Sequence, residues 1–231
     1  MGVNVAVFVP EGIVLSSDCF SEIRTNDDGF FHTSVVRTFE LGKRFIVSFV
    51  GNGYLCGLPC GFYIEYFKCE CLSLESSTKK MAEKLMNFLK KQVLDEERIS
   101  FYIAGYDIDK FNKRIPCIYL VENDKYMIIN QDQKSEPVYN YHSIGRSFWI
   151  NKLLLNTGFQ DEMLENFTRF DDIYIDFSKY SIVDAKNFSE DLIKVSSLMD
   201  KYAQFKPMIS DNVTIGILLP FDGASIIKNI Q

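Results

Sequence analysis

The sequence predicts an α+β fold, arranged as a four-layer αββα sandwich, in a single domain that spans residues 1–231. Blocks of strands are separated by blocks of helices rather than alternating with them one by one, which is typical of α+β folds. The first strands are apolar at nearly every position, so we expect two sheets buried on both faces and covered by helices. No Pro/Gly/Ser-rich or highly charged run divides the 231 residues into two domains.

Two hairpins are predicted in the first part of the chain. Their strands are rich in β-branched and aromatic residues and occupy residues 3–9, 13–18, 35–41 and 45–50. Pro10-Glu11-Gly12 and Gly42-Lys43-Arg44 supply the turns, and a polar loop at residues 25–29 lies between the hairpins. The second hairpin ends at Gly51-Asn52-Gly53, where glycine permits a positive φ and a close approach of the backbone.

Helices and further strands follow. The predicted helices occupy residues 54–71, a stretch that begins at Ser77, residues 147–156 with Gly158 beyond their end, and residues 181–202. The later strands are predicted at residues 100–106, 116–122, 125–130 and 213–219. In the last helix, Ser181 and Asp184 are arranged like a capping box. Its predicted apolar stripe consists of Ala185, Phe188, Leu192, Val195 and Met199.

Composition argues against several classes of function. The net charge of −6 and the pI near 5.1 argue against a nucleic-acid partner, because phosphate binding needs clustered Lys and Arg. No apolar run approaches the roughly 18 residues of a membrane span, and the first residues lack the basic start of a signal peptide. A cytoplasmic protein with six reduced cysteines is therefore expected. Since neither His32 nor His142 is near a cysteine in sequence, we expect no metal and no cofactor.

Three segments, in order along the chain, match the pattern of one known family. They are Gly12-Ile13-Val14-Leu15-Ser16-Ser17-Asp18, then Phe39-Glu40-Leu41-Gly42 through Phe49-Val50-Gly51, and then residues 101–107 followed by Pro116-Cys117-Ile118-Tyr119. In this order and spacing, the chain resembles the proteasome β-subunits, HslV and related bacterial proteasome-like proteins over essentially its whole length. It is identified as a degenerate member of these N-terminal-nucleophile hydrolases.

The resemblance implies a hydrolytic site around the first residue of the mature chain. In the family, an N-terminal Thr, Ser or Cys attacks an amide while its own α-amine accepts the proton. Asp18 matches the active-site aspartate, and counting back from it places the nucleophile at Gly2, which has neither a hydroxyl nor a thiol. Removal of Met1 then leaves the base but no nucleophile. Arg37 falls where the family has a lysine, and Gly51 matches the glycine of the oxyanion turn.

Two further positions complete the implied site. Ser143-Ile144-Gly145 resembles a Gly-Ser-Gly turn of the family, with Ser143 or Ser147 as the candidate hydroxyl. Asp200 matches an aspartate that precedes a supporting serine, and Ala203 stands where that serine is expected. A purely structural role stays open for the aspartates and the arginine of the site.

Three functions are compatible with these residues. The first is a non-catalytic proteasome-like subunit that assembles with itself, in a ring or stacked rings, or with a related subunit. The second is an active threonine-peptidase-like amide hydrolase with an unorthodox nucleophile. Ser17 and Cys19 flank Asp18, but neighbouring strand side chains point to opposite faces, so both are expected to face away from the cleft. The third is a small-ligand-binding module that keeps the cleft between the sheets as a pocket.

Overall fold

The structure, a computed structural model, describes residues 2–24, 30–71, 77–92, 99–122, 124–132, 136–154, 175–203 and 208–229. The predicted loop at residues 25–29 and the predicted helix end at Gly158 lie outside these residues. Of the described residues, 44% are in strands and 32% are in helices. The protein is therefore mainly β.

The strands of the described residues form four antiparallel sheets. They are β1 (Val3–Val9), β2 (Gly12–Asp18), β3 (Phe20–Arg24), β4 (Phe30–Ser34), β5 (Thr38–Leu41), β6 (Phe45–Gly51), β7 (Tyr54–Leu55), β8 (Leu58–Pro59), β9 (Ile99–Ile108), β10 (Arg114–Val121), β11 (Tyr126–Ile128), β12 (Asn140–Gly145), β13 (Val213–Leu219) and β14 (Gly223–Asn229). Sheet I has the strand order β12-β1-β2-β13-β14, and sheet II has the order β11-β10-β9-β6-β5. The hairpins β3-β4 and β7-β8 are separate two-stranded sheets.

Four α-helices and one short 3₁₀ turn complete the described part of the chain. They are α1 (Cys60–Cys71), α2 (Thr78–Gln92), α3 (Phe148–Leu154), the 3₁₀ turn Phe177–Lys179, and α4 (Ile182–Ala203). Helix α4 packs on β1 and β2, and helix α2 packs on β9 and β10. Among the described residues, no helix combines the length and the apolar character that crossing a bilayer requires.

The expectation of an α+β chain with four αββα layers is wrong. Strands predominate over helices, and they divide into four sheets instead of two. One reason is that the runs beside the loop at 25–29 pair only with each other, and the start of the predicted helix at 54–71 forms the hairpin β7-β8. In addition, residues 140–145 and the tail at 223–229, for which no strand was predicted, form the two edge strands of sheet I.

The two large sheets pack against each other around an apolar core. Its buried side chains include Phe8 and Leu15 of sheet I and Ile46, Tyr102 and Ile118 of sheet II. Burial of one such large apolar side chain stabilises the fold by about 1.5–3 kcal/mol. This core fixes the two sheets relative to each other and so brings the ends of their strands together.

The starts of two helices confirm their sequence signals. At α2, the Lys80 N–H donates to Ser77 Oγ at 3.3 Å, which makes Ser77 the N-cap. At α4, the Ser181 N–H donates to Asp184 Oδ2 at 3.0 Å, and the Asp184 N–H donates to Ser181 Oγ at 3.2 Å. These reciprocal bonds are a capping box with aspartate in place of glutamate.

The predicted apolar stripe of α4 is only partly correct. Ala185 and Leu192 are buried and Phe188 packs against the same cluster, but Val195 and Met199 are 38% and 37% exposed. The buried face also includes Ser189, Ile193, Ser196 and Asp200. Three of these four residues are polar, so a search for apolar periodicity could not find this face.

Candidate functional site

Four of the positions implied by the resemblance meet at one end of the two large sheets. Gly2 directly precedes β1, Asp18 ends β2, Arg37 directly precedes β5, and Gly51 ends β6. The register of β1 on β2 pairs Asn4 with Ser17 and thus places the start of β1 beside the end of β2. All four residues are buried.

Asp18 is held by the backbone of three different segments. Its Oδ1 accepts a hydrogen bond from the Val3 N–H at 2.8 Å, and its Oδ2 accepts from the Phe20 and Ser210 N–H groups, each at 3.2 Å. The side chain is fully buried. A carboxylate with three backbone donors joins the start of β1 and the segment before β13 to the end of β2.

Arg37 is also fully buried, and it too contacts mainly the backbone. Its Nη1 donates to the Gly51 carbonyl at 3.1 Å, and its Nη2 donates to the Phe20 carbonyl. The Nε atom lies 4.0 Å from Asp18 Oδ1, which is an ion-pair distance but longer than a hydrogen bond. The guanidinium also lies over the Phe49 ring, 5.1 Å from its centroid.

The burial of this pair perturbs both pKa values. Burial raises the pKa of the Asp18 carboxyl, against the opposing effects of Arg37 and of the three N–H donors. Burial likewise lowers the pKa of the Arg37 guanidinium, against the opposing effect of the Asp18 charge. The two groups therefore compensate each other's charge in a place without solvent contact.

Gly2 leaves no space for a side chain. A Cβ atom at this position would lie 2.1 Å from Asp18 Oδ1 and 3.0 Å from Asp18 Cγ, far inside the van der Waals contact distance. The Gly2 carbonyl accepts a hydrogen bond from the Arg146 N–H at 3.0 Å. Gly145 has φ +83° and would place a Cβ 2.3 Å from that same carbonyl oxygen, so only glycine fits there. The carboxylate of Asp18 thus occupies the space that a nucleophile's side chain would need.

Ser143 and Asp200 are near this centre, but neither contacts Gly2 in the interactions that the structure shows. Ser143 Oγ donates to Asn151 Oδ1 at 3.4 Å. Asp200 accepts from the Met208 N–H and forms an ion pair with Arg146, with 3.5 Å between Nη1 and Oδ1. Arg146 therefore links Asp200 to Gly2, since it bonds the Asp200 carboxylate through its side chain and the Gly2 carbonyl through its backbone.

Sequence reasoning missed Ser210 and Arg146 of this site and named Gly145 only as part of a turn motif. Ser210 donates to Asp18, Arg146 binds both Gly2 and Asp200, and Gly145 packs on the Gly2 carbonyl. Only Gly145 gave a signal in the sequence, through its place in the Ser143-Ile144-Gly145 turn motif. The other two residues are brought to the site by the fold alone.

The alternative nucleophiles are engaged elsewhere. Ser17 Oγ hydrogen-bonds Thr38 Oγ1 at 2.9 Å, inside a buried polar chain that continues through Ser48 to Asn4. Cys19 Sγ contacts Thr214 Oγ1 at 3.3 Å, and burial raises the pKa of its thiol, which disfavours the reactive thiolate. Neither group is positioned to attack a substrate.

No known protein family matches this chain in a scan of family models, and no curated protein matches it in sequence. Within the described residues, no three His, Cys, Asp or Glu side chains lie together in a way that would hold a metal ion. The site is thus defined by its own geometry: a buried aspartate–arginine pair whose carboxylate occupies the space at Gly2.

Proposed function

We propose that this chain is a catalytically inactive, self-assembling protein related to the proteasome-type subunits that its sequence resembles. The observation that carries the proposal is the 2.1 Å approach of Asp18 Oδ1 to the position of a Cβ at residue 2. Not only is the nucleophile missing, but the space for it is filled.

The polar groups of the site support an inactive role. Catalysis on an amide needs a nucleophile beside a base and donors aimed at the developing oxyanion. Here the Asp18 carboxylate and both Nη atoms of Arg37 hydrogen-bond to backbone N–H and carbonyl groups, and both side chains are 0% exposed. A buried Arg37 cannot act as the lysine of the family acts, because a guanidinium stays protonated.

Exposed apolar side chains support self-assembly. Large exposed apolar residues mark association surfaces when they lie together. Leu58, Phe62 and Tyr66 are 43%, 56% and 44% exposed on or next to α1. Phe148 of α3, together with Leu198 and Tyr202 of α4, is exposed by 57%, 52% and 80% respectively. Contact between copies would cover such side chains.

Peptide hydrolysis tests the inactive site. We expect no turnover of fluorogenic peptides by the wild-type protein and none by Gly2→Thr, because the threonine side chain collides with Asp18. We expect Gly2→Thr to lower the free energy of unfolding by about 3 kcal/mol, the upper end for an overpacked site.

Gly57→Thr introduces the same residue without a collision. Gly57 has φ +80° and no atom within 4 Å of an added Cβ, so this variant measures backbone strain alone, whereas Gly2→Thr measures the collision with Asp18. Robust turnover by the wild-type protein, at a rate that survives repeated purification, would contradict the inactive role.

Sedimentation velocity tests assembly separately. We expect an oligomer at micromolar concentration, and a monomer there would contradict self-assembly while leaving the inactive site unaffected. We place the protein in the cytoplasm, and the exposed thiols of Cys56 and Cys69 support this location, because disulfides are rare there. Blocking of these thiols only after reduction, in protein taken from cells, would contradict that location.

A further inference from the structure

A cleft opens at the end of the large sheets that lies opposite Gly2. Three turns meet there: residues 42–44 between β5 and β6, residues 109–113 between β9 and β10, and residues 220–222 between β13 and β14. The central cavity has a volume of about 250 Å³. It is separate from the Asp18 site, since β6 runs from one to the other over about 20 Å.

Cations outnumber acidic residues in the central cavity of this cleft, whereas a neighbouring cavity that also includes Arg114 is lined by Asp109 and Glu136 as well. Lys43, Arg44 and Arg114 line the central cavity, where Asp222 is the one acidic residue among the lining residues that the structure describes. Lys113 lines the adjoining space beside Arg114. A concentration of positive charge in one cleft of a chain with a net charge of −6 favours an anionic ligand there.

The Arg114 side chain is held in place by neighbours in the β13-β14 turn. It donates through Nη1 to the Pro220 carbonyl, and its guanidinium lies over the Phe221 ring, 4.9 Å from the centroid. Leu219 also lines the cavity. A cation positioned beside an aromatic and an aliphatic side chain suits a ligand that carries both a negative group and an apolar part.

Tyr106 provides a second, independent indication of a ligand. Its side chain lines both the central cavity and a neighbouring one, and the residue is only 8% exposed. Within the described part of the chain, its hydroxyl is buried and has no hydrogen-bond partner. A buried hydroxyl without a partner costs about 1–3 kcal/mol, which a ligand acceptor in the cleft would recover.

The walls of the cleft are connected to each other. The Ala224 N–H donates to the Lys43 carbonyl at 3.1 Å and so joins the β13-β14 turn to the β5-β6 turn. Gly223, with φ +84°, would place a Cβ 2.6 Å from that same carbonyl oxygen, so this contact requires glycine. In the third turn, Asp109 Oδ1 accepts from the Lys113 N–H at 2.8 Å. The cationic side chains therefore stand on a preformed frame, which lowers the cost of binding.

We propose that this cleft binds a small organic anion. Its carboxylate or phosphate group lies against Lys43 and Arg114, its apolar part lies against Leu219 and Phe221, and it accepts a hydrogen bond from the Tyr106 hydroxyl. This binding role is independent of the inactive site at Gly2, and either one can hold without the other.

Isothermal titration calorimetry with three probes tests the cleft. Phenyl phosphate and phenylacetate present the two possible anionic groups on the same ring, and inorganic phosphate lacks the apolar part. We expect saturable binding of at least one of the two aromatic anions. The one that binds more tightly shows whether the cleft prefers a phosphate or a carboxylate. Inorganic phosphate should bind about tenfold more weakly or not at all, because it loses the apolar contacts.

Variants locate the binding. We expect Arg114→Gln to weaken the binding of the tighter aromatic anion by about tenfold. This is the usual effect of losing one hydrogen bond to a charged group. Lys79→Gln makes the same change of charge on the exposed surface of α2 and should leave the affinity unchanged.

Tyr106→Phe separates binding from folding. This variant removes a hydroxyl without a partner, so it should keep or raise the midpoint of urea unfolding while it weakens binding by several-fold. The proposal is overturned by the absence of saturable binding of any probe, or by unchanged affinity in Arg114→Gln or Tyr106→Phe. Equal weakening by Lys79→Gln would also overturn it, as that result indicates non-specific charge attraction.

Discussion

The polar contacts of Asp18 and Arg37 are made with the backbone more than with each other. Their nearest charged atoms are 4.0 Å apart, whereas each has shorter hydrogen bonds to N–H or carbonyl groups. The pair therefore ties together segments that are distant in sequence, and each charge needs the other because both side chains are excluded from water.

Removal of the cation should be strongly destabilising. We expect Arg37→Met to lower the free energy of unfolding by about 3–5 kcal/mol, because it leaves the Asp18 charge buried without compensation. The double variant Asp18→Asn with Arg37→Met should lose less than the sum of the two single variants, since it removes both charges. Urea unfolding followed by circular dichroism measures both effects.

Lys79→Met serves as the control, since Lys79 is exposed on α2 and its replacement should change stability by less than about 0.5 kcal/mol. Additive losses in the double variant would mean that the two buried charges do not interact.

For the single residues of the site, the sequence predicted which positions meet but not which contacts they make. Gly2, Asp18, Arg37 and Gly51 do come together, because all of them lie at strand ends that pairing places side by side. The direction of the Asp18 carboxylate toward Gly2 depends on donors from Val3 and from the distant Ser210, which no local pattern encodes.

At the level of the elements, helix α4 depends on its capping box for a defined start. Ser181 Oγ accepts from the Asp184 N–H, and the Asp184 carboxylate accepts from the Ser181 N–H. We expect Ser181→Ala to lower the free energy of unfolding by about 1 kcal/mol, because N-terminal N–H groups of the helix lose their acceptor.

Thermal unfolding measures this loss, with Ser178→Ala as the control. Ser178 lies in the 3₁₀ turn before α4, where its Oγ donates to Asp176 Oδ1 at 2.5 Å in an exposed position. A loss from Ser181→Ala no greater than that from the control would show that the capping box contributes nothing.

Elements with strong local signals were predicted closely. The first two strands and the helices beginning near Ser77 and Ser181 combine a clear period with turn or cap residues. The edge strand β12 was missed because pairing with β1, rather than its own composition, makes it a strand. The segment at 54–71 has no clean period, and only tertiary contacts divide it into a hairpin and a helix.

For the molecule as a whole, the fold class was predicted wrongly because some strands form only through pairing with a neighbour. The sequence marks no such strand clearly, so a prediction from sequence counts too few strands relative to helices. The prediction of doubly buried strands was confirmed, since every residue of β1, β2 and β6 is buried.

A histidine links the two large sheets and should make their association sensitive to pH. The Tyr102 hydroxyl of β9 and His142 Nδ1 of β12 form a hydrogen bond at 2.6 Å, in which the tyrosine donates when the neutral imidazole carries its hydrogen on Nε2. Burial lowers the pKa of His142 below its ordinary value of 6.5. Folding therefore disfavours the protonated ring, so this contribution to stability is complete above pH 6.5 and is lost as the pH falls through the folded-state pKa.

Urea unfolding across this range measures the effect. We expect the free energy of unfolding to fall by up to about 1 kcal/mol per pH unit between pH 6.5 and 5, and we expect His142→Gln to flatten this dependence. His32→Gln replaces an exposed histidine and should leave the dependence unchanged. An equal slope in wild type and His142→Gln would assign the pH dependence to other groups.

Strand β6 begins beside Arg44, at the cationic cleft, and ends at Gly51, beside Arg37. Its two ends therefore act as separate spectroscopic reporters within one rigid segment. In a nuclear magnetic resonance titration, a ligand in the cleft should shift the amide signal of Phe45 and leave that of Gly51 in place. A substitution at residue 2 should do the reverse, so a single pair of resonances is enough to tell which end of the molecule has responded.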